Sequence, residues 1–215
     1  MNRRLPLHAK QVRSVDGSAF LHMFAEFRQI AVLPWARLVL VTVFLEGAFL
    51  YGPFAFIASH LHHTHALSLT SAGASLMLFG FGGFAFALAS GTMVRRMGET
   101  GLSQWGGVIL AASLLAIGLA PVWWWALPGC FMAGLGFYML HNTLQINATQ
   151  MAPERRGAAV SAFASSFFLG QSVGVGFAGI AIGVVGTGNV IVVGAVGVVA
   201  VASYFSWQLR LKKAT

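Results

Sequence analysis

Residues 47–94 read GAFLYGPFAFIASHLHHTHALSLTSAGASLMLFGFGGFAFALASGTMV, 48 residues without a single Asp, Glu, Lys or Arg. A helix needs about 20 apolar residues to cross the hydrocarbon core of a bilayer, so this stretch holds two crossings and a turn. Two more charge-free stretches follow, 100–153 and 157–209, of 54 and 53 residues. Each again has room for two crossings, and the expected fold is an all-α integral membrane protein with six transmembrane helices. The composition agrees: 57% of side chains are hydrophobic, only 8% are charged and the mean hydropathy is +0.77, whereas about a quarter of residues in a soluble domain are charged. A soluble enzyme, a nucleic-acid binder and a secreted disulfide scaffold are excluded.

The connections set the expected topology. The spans are expected over about Arg37–Ser59, Thr70–Val94 and Leu102–Ala120, then from the turn at Pro121 and Trp123–Trp125 to about Asn147, from Pro153 to near Gly183, and from a turn at Gly186–Asn189 to near Gln208. All 13 basic residues lie at or beyond the ends of these spans, up to Arg37, at Arg95 and Arg96, at Arg155 and Arg156, and at Arg210, Lys212 and Lys213. They occupy alternate connections only, which places both termini in the cytoplasm. The net charge of +8 therefore records topology and not a nucleic-acid partner. Trp35, Trp105 and Trp207 at one side and Trp123, Trp124 and Trp125 at the other fit interfacial anchors. Residues 1–36 form a cytoplasmic segment, 37–209 the transmembrane domain and 210–215 a cytoplasmic tail. Phe20, Phe24, Phe27 and Ala31 share one side of a helix, as in an amphipathic helix lying on the membrane surface, the alternative being a mobile tail. No cleavable signal peptide is evident, so the spans are expected to direct insertion. The single Cys130 forms no intrachain disulfide and reads as a packing residue.

Within the spans, Gly83, Ala87 and Gly91 repeat every four residues, as do Gly170 with Gly174 and Gly179 with Gly183, a spacing that lets helix backbones approach. Glu46 is the only acidic residue in a span, where a carboxylate costs several kcal/mol unless protonated, paired or wet. On the fourth span Tyr138, His141, Gln145 and Thr149 form a polar stripe with Asn142 beside it, which must face protein or water. At 1.5 Å per residue, Glu46 lies roughly 13 Å from the cytoplasmic start of its helix and His141 about 14 Å from the cytoplasmic end of its own. The two therefore meet at one depth, where a carboxylate and an imidazole make a proton relay; the alternative is a static buried pair. His60, His62, His63 and His65 are expected in an exposed polar loop, with no metal assigned to them. No phosphate loop, zinc-protease helix or nucleophile elbow occurs, and neither an enzyme activity nor a cofactor is expected.

Two cytoplasmic connections carry a resemblance to a known family. Gly91-Thr-Met-Val-Arg-Arg-Met-Gly98 resembles the G-x-L-A-D-R-x-G signature that follows the second helix of a major facilitator half. HNTLQINATQMAPERRGAAVSAFASSFFLGQSVG, from His141 to Gly174, is similar to helices ten and eleven of the drug- and sugar-efflux branch of that superfamily. The chain departs from the signature at Arg95, an acidic position, and at Glu99, a usually basic one. The resemblance implies a carboxy-terminal half, helices seven to twelve, arranged as two inverted three-helix repeats. It also implies that Glu46 and His141 couple protons, that Tyr51, Tyr138, Asn142 and Gln145 line the substrate path, and that Gly91, Arg95, Arg96 and Gly98 belong to a cytoplasmic gate.

The leading expectation is half of a proton-coupled transporter in the plasma or inner membrane, exporting a small organic solute. Such a half is expected to act with a second copy or a separately encoded amino-terminal half. The alternative is a non-transporting truncated half or membrane assembly partner.

Overall fold

Proline, serine and glycine set the helix boundaries. The structure, a computed structural model, describes residues 17–214, and among these every regular element is helical: α1 (Gly17–Val32), α2 (Pro34–Phe54), α3 (Ile57–His65), α4 (Leu69–Leu119), α5 (Ala126–Gln150) and α6 (Arg156–Ala214), with 3-10 turns at Trp123–Trp125 and Pro153–Arg155. Pro34 opens α2, where its missing N–H is no loss. Ser68 caps α4 by accepting the Ser71 N–H at 3.1 Å. Pro53 lies in the last turn of α2, and the helix is interrupted at Ala55 and Phe56 before α3 begins. The polar loop expected at His60–His65 is therefore corrected. Those residues are helical, and α3 ends only at Ala66, in the left-handed conformation (φ 53°).

Gly98 (φ 62°) and Gly186 (φ 81°) are non-helical residues inside α4 and α6, conformations that glycine adopts without steric cost. Contacts to α5 show the chain reversing at Gly98: Phe79 backs Gly134 and Gly83 backs Tyr138, a parallel pairing, whereas Gly106 backs Gly136 and Gly129 backs Ile117, an antiparallel one. Gly186 acts in the same way. Phe44 and Ala48 of α2 lie on Gly170 and Gly174 in parallel order, and Phe49 and Pro53 lie on Gly197 and Gly194 in the opposite order. Each of these helices is thus a hairpin of two limbs, 69–97 with 99–119 and 156–185 with 187–214. The connections expected at 95–101 and Gly186–Asn189 shrink to one residue each.

The two hairpins clasp the remaining helices by a repeated device. Phe44-x-x-Gly47, Phe79-x-x-Gly82, Phe131-x-x-Gly134 and Phe167-x-x-Gly170 lie in α2, α4, α5 and α6 respectively. At the α2–α6 crossing a Cβ on Gly47 would lie 2.6 Å from the Phe167 carbonyl oxygen, and one on Gly170 would lie 2.0 Å from that of Phe44. At the α4–α5 crossing the same reciprocity joins Gly82 to Phe131 and Gly134 to Phe79, at 1.9 Å in both directions. Backbones meet where no side chain intervenes, which is how helices pack when lipid supplies no hydrophobic drive between them. Of the glycines singled out by spacing, Gly170 and Gly174 make such approaches, and Gly83 lies against the ring of Tyr138. Gly91 meets only the Arg95 side chain at 3.8 Å, Gly179 has an ordinary contact with Phe56, and Gly183 faces open space.

Ile30 of α1 is buried with Ala36, Val39, Leu144, Phe163 and Phe205 in one of the core clusters, and Arg155 donates to Gln29. The expected helix over Phe20–Ala31 is present as α1; the side chains of Phe20 and Phe24, and residues Arg3, Arg4, Lys10, Arg13 and Asp16, lie outside the described residues. Three stretches are long and apolar enough to cross a membrane, Pro34–His65, Leu69–Leu119 and Pro153–Lys213. Helix α5 falls short of that apolarity because His141, Asn142, Gln145 and Asn147 interrupt it.

Candidate functional site

Glu46 and His141, placed at one depth by residue counting, are in contact. His141 Nδ1 lies 2.8 Å from Glu46 Oε2, the ring nitrogen donating to the carboxylate. The Glu46 side chain is fully buried and that of His141 is 16% exposed, so the pair touches the surface only through the imidazole. The other carboxylate oxygen, Oε1, is buried without a hydrogen-bond partner. An unmet acceptor in such a place costs about 1–3 kcal/mol, and more for a charged group, so this atom is the least satisfied polar group of the site.

Aromatic rings wall the histidine. Phe137, one turn before it on α5, stacks on the imidazole at 4.8 Å between centroids, while Phe167 and Phe163 of α6 lie at 4.7 and 5.3 Å. Tyr51 stands edge-on to Phe137 and Phe167 at 5.9 and 5.6 Å. Phe79 of α4 packs on the far side of Phe137 at 5.6 Å. The glycine clasps bring these rings together, since Phe79 and Phe167 each carry a carbonyl that rests on a glycine of the opposing helix.

The remaining predicted residues spread outward from this centre. Tyr138 is 40% exposed and lies against Gly83, where a Cβ would come 2.3 Å from its ring. Asn142 is half-buried and Gln145 exposed, on the same side of α5 as His141. Thr149 turns back to the Ile146 carbonyl. Gly91, Arg95 and Arg96 lie near the Gly98 reversal, exposed and distant in sequence from the pair, with Arg95 donating to Thr92.

Several buried polar contacts escaped the sequence reading. Asn147 donates to the Thr143 carbonyl at 2.9 Å and to Glu99 Oε2 at 3.4 Å, tying α5 to the start of the second limb of α4. Gln104 donates to Ser203. His60, expected in an exposed loop, is 4% exposed and its Nδ1 lies 2.9 Å from the Thr187 hydroxyl, beside the Gly186 reversal. His62 pairs with the Leu67 carbonyl, and the α3 histidines meet only two by two, His60 edge-on to His65 at 6.1 Å and His62 to His63 at 5.1 Å. The phenylalanine collar was also missed. With 18 Phe in the chain, the i, i+4 pairs Phe137–His141 and Phe163–Phe167 carried the only signal.

Comparison with known proteins follows the same lines. The profile of the Major Facilitator Superfamily matches residues 3–175. Curated relatives include an uncharacterized MFS-type transporter YhhS of Escherichia coli (strain K12), 31% identical over 169 residues, and that of Salmonella typhimurium (strain LT2), 30% identical over 169 residues. In both, the match covers 67% of this chain and 41% of the relative. The chain thus spans less than half the length of the curated relatives it matches.

Proposed function

This chain belongs to the Major Facilitator Superfamily, and on that premise we propose that it forms half of a proton-coupled transporter that exports a small organic solute. The family and the apolar helices make it a multi-pass membrane protein. The finer reading has six crossings, α2 with α3, the two limbs of α4, α5, and the two limbs of α6, both termini being cytoplasmic and the membrane that of the cell surface or inner envelope. Two inverted repeats are supported by the paired clasps, because α2 sits in the α6 hairpin as α5 sits in the α4 hairpin.

The observation that carries the function is the buried Glu46–His141 contact with its unsatisfied Oε1. A carboxyl fixed by one oxygen and left without a partner at the other is arranged to take up and release a proton. Intramembrane ionisable groups mark ion and proton pathways more often than structural sites. In this reading Tyr51, Tyr138, Asn142 and Gln145 line the solute path. Tyr138 and Gln145 open away from the bundle, towards the face that a second copy or a separate amino-terminal half would cover. Gly91, Arg95, Arg96 and Gly98 form the cytoplasmic gate.

Proton flux into vesicles containing the purified complex tests this reading. Glu46→Gln keeps the shape and the contact with His141 but cannot carry a proton, so pH-driven flux is lost while the protein stays folded. Unchanged flux in that variant overturns the reading and favours a membrane assembly partner.

A further inference from the structure

Phe167 touches the neighbourhoods of both Glu46 and His141, and no other residue described above does so by ring and backbone together. Its ring packs on the imidazole at 4.7 Å and on Tyr51 at 5.6 Å. Its carbonyl lies over Gly47, the residue after Glu46, so close that the position admits no Cβ. The i+3 glycine of the same helix, Gly170, receives the carbonyl of Phe44 in return. The backbone of Phe167 is therefore pinned to α2 while its ring is pressed on α5.

Together with Phe163 and Phe137, this ring walls the imidazole, whose residual exposure is 16%. Aromatic rings offer no strong acceptor for water, and a space bounded by them stays dry. Removing the Phe167 ring opens a space that also borders polar groups, His141 and Tyr51, and water enters cavities that give it polar partners.

We propose that Phe167 is a positioning residue for the Glu46–His141 pair, holding the imidazole against the carboxylate and keeping water from reaching the pair from the α6 side. Movement of the first limb of α6 relative to α2 and α5 would then wet the pair, because the ring travels with its own backbone. The proton balance is simple: a proton passes from water to the Glu46 carboxyl on one side and from the carboxyl to water on the other, and no other reactant takes part. This inference rests on the proposed proton-coupling role of Glu46.

The test is proton leak in vesicles without solute, measured for Phe167→Ala, Phe167→Leu and Phe167→Ala with Glu46→Gln, each checked for monodispersity. Phe167→Ala is expected to raise the leak several-fold, Phe167→Leu to restore the barrier through its apolar bulk, and the double variant to show no leak because the carrier is gone. A leak unchanged in Phe167→Ala, while Glu46→Gln alone abolishes pH-driven flux, overturns the role of Phe167 and leaves the transport reading intact. A leak that persists in the double variant shows general loosening and also overturns it. If Phe167→Ala fails to fold, Phe167→Gln decides, since it keeps side-chain length but gives water polar partners: a leak raised several-fold upholds the apolar barrier, and an unchanged leak overturns it.

Discussion

Gly47 lies directly beneath the carbonyl oxygen of Phe167, at a separation that would leave an added Cβ only 2.6 Å from that oxygen. The contact sits one residue from Glu46 and sets how closely the first limb of α6 approaches the buried pair. Gly47→Ala forces the limb outward at a cost of roughly 1–3 kcal/mol, the usual range for overpacking. Thermal unfolding in detergent should show a clear drop for Gly47→Ala and none for Gly91→Ala, because Gly91 has only a surface arginine side chain near it. Equal shifts would contradict the clasp.

The Glu46–His141 pair should be energetically coupled. Changing one partner leaves the other buried and unpaired, a loss of about 3–5 kcal/mol for a fully buried pair. The combined Glu46→Gln and His141→Ala variant should therefore destabilise less than the two single changes predict by addition. A double-mutant cycle read by denaturation should yield a coupling of roughly 0.5–3 kcal/mol. Strict additivity would mean that the two groups do not interact.

Much of this site was legible in the sequence, for physical reasons. Fixed helical rise converts residue counts into depth, and Glu46 and His141 stand out because the surrounding 48- and 54-residue stretches carry no formal charge. What surrounds them was not legible. Phenylalanine is so common here that ring contacts across three helices leave no distinctive spacing, and a Gly-x-x-x-Gly pattern says that something is close without saying what. The same ambiguity made Gly91 look like Gly170. His60 was misread for another reason: four histidines in six residues look hydrophilic on average, and averaging hides that one face of a short helix turns inward to Thr187.

Gly98 should tolerate no side chain even though nothing crowds it. Its φ of 62° with ψ of 179° carries the reversal, a region that is essentially glycine's alone and where a Cβ costs about 1–3 kcal/mol. Gly80, exposed on a helical limb with open space around it, should accept alanine with no loss and a gain of up to about 0.5–1 kcal/mol. Because neither site is crowded, comparison of the two alanine variants by unfolding midpoint isolates backbone strain.

Thiol labelling should report the two sides of α5. Cys130 is fully buried, so the unmodified protein gives a low background. Gln145→Cys, at an exposed position, should label rapidly with a small maleimide in detergent, and Thr143→Cys, where the native residue is 1% exposed, should label only on unfolding. Equal rates would place the polar stripe elsewhere.

The one-residue reversals at Gly98 and Gly186 bear on how the chain is made as well as on how it packs. Two limbs joined by a single glycine share no slack, so neither can settle into lipid while the other waits in water without unwinding the turns beside the glycine. On the six-crossing reading proposed above, each hairpin enters the bilayer as one insertion unit. A variant that lengthens either joint would therefore be expected to reveal itself first during biogenesis, as chains caught with a lone limb, before any defect appears in the finished molecule.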